Sequence, residues 1–90
     1  SENLLKMAIF VTNESAPLYD LLIKHQSGEL PCKIPCIISN HEHLKEISEQ
    51  FNIPFFYLPV APETKDEQEK EIRELMAKES IDLLVLARYM

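Results

Sequence analysis

A chain of 90 residues, 46% hydrophobic and 27% charged, has the length and composition of one small globular domain with a core, and excludes disordered, collagenous and coiled-coil classes. Its formal charge of −6 argues against a nucleic-acid or anionic-membrane partner, because phosphate-rich surfaces are bound by clustered Lys and Arg. No apolar run approaches the roughly 20 residues needed to span a bilayer, and the opening SENLLKMAIFV lacks a signal peptide's basic flank and small-residue cleavage site, so a cytoplasmic protein is expected.

The first expected element is KMAIFV, Lys6 to Val11, a continuous apolar run of strand length, as in a strand buried on both faces between parallel neighbours. A turn, Thr12 to Ser15, leads into a helix starting near Ser15 to Pro17. Its inward stripe is Leu18, Leu21, Leu22 and His25, and Gly28, the single glycine, ends it. Cys32 and Cys36 flank Pro35 with neither redox C-x-x-C spacing nor a second zinc-ligand pair, and read as reduced, semi-buried thiols.

KIPCIIS, Lys33 to Ser39, is expected as a second strand with Pro35 near its start. Asn40 is placed to cap a helix with Leu44, Ile47 and Phe51 inward, and Asn52 is the residue suited to a left-handed stop before Pro54. Phe55 to Leu58 forms a third strand. Pro59 and Pro62 stiffen the loop that follows, and T-x-x-E at Thr64 and Glu67 reads as a capping box. The helix it opens turns Ile72, Leu75 and Met76 inward and sets Asp66/Lys70, Glu69/Arg73 and Glu74/Lys78 at i, i+4 on its wet side. Leu83 to Ala87 is the fourth strand.

This βαβαβαβ order gives an α/β fold: a three-layer, Rossmann-like open parallel sheet with expected strand order 3-2-1-4. In such a sheet the order reverses between the first and fourth strands, and ligands bind outside the carboxyl ends at that switch point. Two segments are thereby nominated: the turn Thr12, Asn13, Glu14, Ser15, and the terminal Arg88, Tyr89, Met90. The fourth strand has no helix behind it, so one sheet face is expected to be under-covered and to promote homo-oligomerisation.

The residues then exclude several chemistries. T-N-E-S-A-P replaces the G-x-G-x-x-G of dinucleotide folds, and Glu14 repels phosphate, so nicotinamide and flavin cofactors are not expected. The third strand ends in Leu58 and Pro59 rather than in a phosphoacceptor Asp. His41 and His43 flank Glu42 at a helix start, but i and i+2 side chains on a helix do not face each other, so they read as exposed capping residues and no metal site is assigned. No catalytic triad or Cys/His constellation can be assembled. A cation at Arg88 pairs either with Glu14 or a terminal carboxylate, or with a ligand.

KMAIFVTNES…LYDLL, SGELPCKIPCIISNH, FNIPFFYLPVAPETKDEQE and DLLVLARYM together resemble the formyltetrahydrofolate deformylase branch of the formyltransferase family, which also contains the glycinamide ribonucleotide transformylases. The resemblance covers nearly the whole chain. It implies hydrolysis of 10-formyltetrahydrofolate to tetrahydrofolate and formate in one-carbon and purine metabolism, with the folate as substrate and no separate cofactor. It also implies a folate-binding segment Leu86, Ala87, Arg88, Tyr89 and Met90. The family's catalytic Asn, His and Asp lie beyond the fourth strand, so residues 1–90 correspond to the N-terminal part of the formyltransferase-like domain, without its ACT domain or catalytic half, and are expected to be inactive alone. Aligning Leu18 with the leucine after the transferase phosphate turn puts Ser15, Ala16 and Pro17 where that branch has Gly-Ser-Asn. Water rather than a ribonucleotide amine is then the expected formyl acceptor. The alternatives are a glycinamide ribonucleotide transformylase fragment and a non-catalytic, self-associating Rossmann-like module.

Overall fold

In the computed structural model, which describes residues 4–59 and 61–87, alternating apolar runs and amphipathic stretches fold into five parallel strands and three helices. In chain order these are β1 (Leu5–Val11), α1 (Ala16–Gln26), β2 (Cys32–Lys33), β3 (Ile37–Ser39), α2 (Lys45–Gln50), β4 (Phe55–Tyr57), α3 (Lys65–Lys78) and β5 (Leu83–Ala87). Short 3₁₀ turns at Glu42–Leu44 and Pro62–Thr64 lead into α2 and α3. β1 is central, paired with β3 on one side and β5 on the other, and β4 lies outside β3. The expected order is therefore present, running β4-β3-β1-β5.

The second expected strand is broken in two. β2 pairs with Leu5 and Lys6, β3 with Ile9 to Val11, and the pairing offset grows by one residue between them. Pro35 sits in that gap, where its missing N–H removes a rung from the ladder. The extra residue is a bulge, and it changes which side chains share a face. Ile34 and Ile37, three positions apart, are both buried on the face covered by α1 and α2, while Cys36 and Ile38 are buried on the other.

The two faces are covered unequally. Under α1 and α2, Met7, Ile9, Val11 and Ile37 pack against Leu18, Leu22, Leu44 and Ile47, all buried. Each such aliphatic side chain contributes about 1.5–3 kcal/mol by leaving water. On the opposite face, among the described residues, only Ala8, Cys36 and Ile38 form the fully buried cluster. α3 buries none of its residues completely, and of the expected inward set Leu75 is the one packed against this cluster. Phe10 stays half-buried, and Leu86 at the end of β5 is 56% exposed. The under-covered face lies on the α3 side, toward β5.

All three helices stop in the same way. After α1, Gly28 N–H donates to the His25 carbonyl and Glu29 N–H to that of Lys24; after α2, Asn52 and Ile53 donate to Glu49 and Ser48; after α3, Ser80 and Ile81 donate to Ala77 and Met76. These are Schellman closures, which need a left-handed residue. Gly28 (φ 89°), Asn52 (φ 57°) and Ser80 (φ 56°) supply it.

α1 starts at Ala16 as expected, whereas the starts of α2 and α3 depart from expectation. Asn40 does not cap α2: the extended residue His41 precedes the 3₁₀ turn Glu42–Leu44, and Leu44 occupies the N-cap position of α2 itself. Thr64 does not open a capping box with Glu67. Its hydroxyl instead accepts the Ala61 N–H at 3.2 Å, because Thr64, the N-cap of α3, is also the third residue of the 3₁₀ turn that begins at Pro62. None of the three anticipated pairs on α3 closes to ion-pair distance. Among the described residues the ion pair formed is Asp20–Lys24 on α1, at 3.1 Å. Exposed pairs of this kind contribute little in either state.

Candidate functional site at the carboxyl edge of the sheet

Every strand runs in one direction, so all carboxyl ends emerge on one edge of the sheet. There Phe10 pairs with Leu86 and Val11 with Ala87. The turn Thr12–Ser15 therefore leaves β1 one strand spacing, about 4.8 Å, from the end of β5. All four turn residues are exposed. Leu86 and Ala87, from the nominated ligand segment, lie beside this turn, Leu86 exposed and Ala87 buried. Arg88, Tyr89 and Met90 lie outside the described residues, as does the suggested pairing of Arg88 with Glu14.

The turn is poorly built for a phosphate. Ser15 occupies the N-cap position of α1 but makes no side-chain capping bond, and its carbonyl accepts the first helical bond from Tyr19 N–H at 2.9 Å. Pro17 falls in the first turn, where it withdraws one of the amides an anion would use. Glu14 adds a carboxylate to the same turn.

Ser39, at the end of β3, is a residue that strand and helix patterns alone did not single out. It is completely buried, and its hydroxyl donates to the Thr12 carbonyl at 3.4 Å while accepting the His41 N–H at 3.0 Å. Its carbonyl accepts the Leu58 N–H at 2.8 Å. The Ser39 side chain thus ties the turn after β1 to the entry of α2, and its backbone ties β3 to the exit of β4. The available signal was a lone hydroxyl closing an apolar strand, since a buried polar group must find partners. Next to it, the Asn40 side-chain oxygen is buried without a hydrogen-bond partner among the described residues.

The remaining candidates divide cleanly. The His25 Nε2–H donates to the Cys32 carbonyl at 2.8 Å, pinning the end of α1 to β2. Cys32 and Cys36 are both free. Burial pushes the Cys36 thiol up to about 11, with the Glu79 carboxylate adding to the effect, and burial also raises Cys32. Neither is an activated nucleophile. The rings of His41 and His43, however, meet edge to face with centroids 5.7 Å apart. The i, i+2 argument fails here because His41 is an extended cap before a 3₁₀ turn, not a residue inside an α-helix. Among the described residues no group of three or more metal-ligating side chains gathers, and no helix is long and apolar enough to cross a membrane. A groove of about 260 Å³ also opens on this edge, between β4 and α3, lined by Tyr57, Leu58, Gln68, Glu67 and Glu71.

Residues 5–90 match the sequence model of a family described as formyl transferase. The chain is 44% identical over its whole length to a formyltetrahydrofolate deformylase of Synechocystis and spans 32% of that protein. Among solved structures, a formyltetrahydrofolate deformylase from Pseudomonas syringae pv. tomato superposes with a TM-score of 0.90 at 38% identity, over 98% of this chain and 30% of that one. A glycinamide ribonucleotide transformylase from Symbiobacterium toebii superposes over the full chain and 44% of its own with a TM-score of 0.83 at 16% identity, a likeness of fold.

Proposed function

Because the chain belongs to the formyl transferase family, we propose that it is the N-terminal part of the formyltransferase-like domain of a cytoplasmic formyltetrahydrofolate deformylase, whose intact form hydrolyses 10-formyltetrahydrofolate to tetrahydrofolate and formate. The observation that carries this reading is the unbroken 44% identity with a deformylase across all 90 residues. The turn chemistry supports it, because a β1–α1 turn with Pro17 and Glu14 and no glycine suits an enzyme that delivers the formyl group to water, not to a phosphorylated amine.

In this reading Leu86, Ala87, Arg88, Tyr89 and Met90 form one wall of the folate site, and Thr12, Asn13, Glu14 and Ser15 face it across the switch point. Ser39 holds the height of that turn. The groups that assist proton transfer and stabilise the tetrahedral oxyanion come from outside these residues, and such groups supply most of a hydrolase's acceleration. The substrate is the folate itself, with no separate cofactor.

Formate release from 10-formyltetrahydrofolate tests the assignment. The 90-residue chain is expected to release none above background, and turnover matching an intact deformylase would overturn the placement of catalysis elsewhere. Saturable binding of glycinamide ribonucleotide by the intact protein would move the assignment to the transformylase branch. Exposed Leu83 and Leu86 on β5 favour one additional reading: the isolated chain self-associates through this edge.

A further inference from the structure

We propose that His41 and His43 form a bidentate site for a borderline divalent transition-metal ion, at the rim of the carboxyl edge of the sheet. An ion about 2.0–2.1 Å from one nitrogen of each ring spaces the ring centres by roughly 4.5–6.4 Å, from a right-angled to a linear arrangement. The observed 5.7 Å lies within that span. The rings must turn out of their edge-to-face contact, in which the planes lie at 61°, to meet one ion; half-buried His41 makes no side-chain capping bond and His43 is exposed, so neither is tied by one. The backbone is better fixed than the rings, because His41 N–H is held by the buried Ser39 hydroxyl and Leu44, one residue past His43, is buried in the core.

Imidazole pairs suit Cu²⁺, Ni²⁺ and Zn²⁺, and the remaining coordination positions fall to water or to an incoming ligand. The start of α2 presents partial positive charge that opposes a cation, while the exposed carboxylate of Glu42 between the two ligands offsets it. The other thiol and imidazole groups compete poorly. His25 is engaged with the Cys32 carbonyl, Cys36 is buried, and Cys32 is half-buried. The proposal does not depend on the folate reading, although the site lies on the same edge.

Calorimetric titration of the 90-residue chain with Zn²⁺ and Ni²⁺ at neutral pH, paired with NMR of the imidazole C–H resonances in the Zn²⁺ arm, tests it. One ion per chain is expected, with the resonances of both His41 and His43 shifting and that of His25 unmoved. His43→Gln, which removes an exposed side chain without core packing, and His41→Gln should each weaken binding roughly 10-fold or more. Cys32→Ser should leave it unchanged. Binding undiminished in the double variant, binding lost in Cys32→Ser, or no binding at millimolar metal would each overturn the assignment.

Discussion

Ser80 carries a backbone conformation that serine does not favour. Its φ of 56° lies where a Cβ is strained, and the Schellman closure of α3 requires it there. Ser80→Gly is therefore expected to raise stability by about 0.5–1 kcal/mol, read as a higher urea midpoint with unchanged slope. Gly28→Ala should lower it by about 1 kcal/mol. A Cβ at Gly28 would meet nothing within 4 Å, so this cost comes from φ alone. Cys36 makes a pH-dependent contribution with a definite sign. Below pH 9.0 the thiol is protonated in both folded and unfolded chains; above it the unfolded thiol ionises while the folded one, pushed up to about 11, keeps its proton. The unfolded state then binds fewer protons, so stability falls between those values, by roughly 2–3 kcal/mol, and the loss levels off beyond them. The difference in denaturation midpoint between the unsubstituted chain and Cys36→Ala should change in this window alone, the unsubstituted chain losing stability relative to the variant.

The elements differ in how firmly they are held. α1 drives Leu18 and Leu22 into the face formed by Met7, Ile9 and Val11, both nearly inaccessible to water. α3 rests on its face through half-buried Leu75. Leu18→Ala should accordingly cost about 2–5 kcal/mol, and Leu75→Ala less than half as much, because a partly exposed side chain forfeits less transfer energy and leaves no closed cavity. Urea unfolding of the two variants measures the contrast, and equal losses would contradict the unequal covering of the sheet. α3 is nonetheless clamped at its far end, where Asp82 N–H donates to the Lys6 carbonyl at 2.8 Å and the Asp82 carboxylate accepts Lys6 N–H at 2.9 Å.

For the whole molecule the asymmetry has a consequence in solution. β5 is an edge strand with Leu83 46% and Leu86 56% exposed, pointing to opposite faces of the sheet. Exposed apolar side chains on an open edge promote pairing with another chain. The isolated chain is expected to show a concentration-dependent mass by sedimentation, reduced toward the monomer in Leu86→Lys. A concentration-independent monomer would show that β5 does not self-associate.

Much of this architecture was legible in the residues themselves. Strand and helix order, the central place of KMAIFV, the end of α1 at Gly28 and the left-handed stop at Asn52 follow from periodicity and backbone sterics, which act within a few neighbouring residues. So does the place of the turn Thr12–Ser15 beside the end of β5 at the carboxyl edge, once parallel crossovers are taken as right-handed. The tertiary structure decided what depends on partners far apart in the chain. The bulge at Pro35 exists only in the pairing of β2 and β3 against β1, and Ser39 acquires its role from Thr12, 27 positions away. How deeply α3 is seated depends on which face is left over after α1 and α2 are packed. The approach of His41 to His43 goes with an extended His41 followed by a 3₁₀ turn, where local pattern had placed a regular helix. Local sterics act along the chain and are written in the sequence, whereas register, depth of packing and ring-to-ring approach are properties of surfaces that exist only after folding.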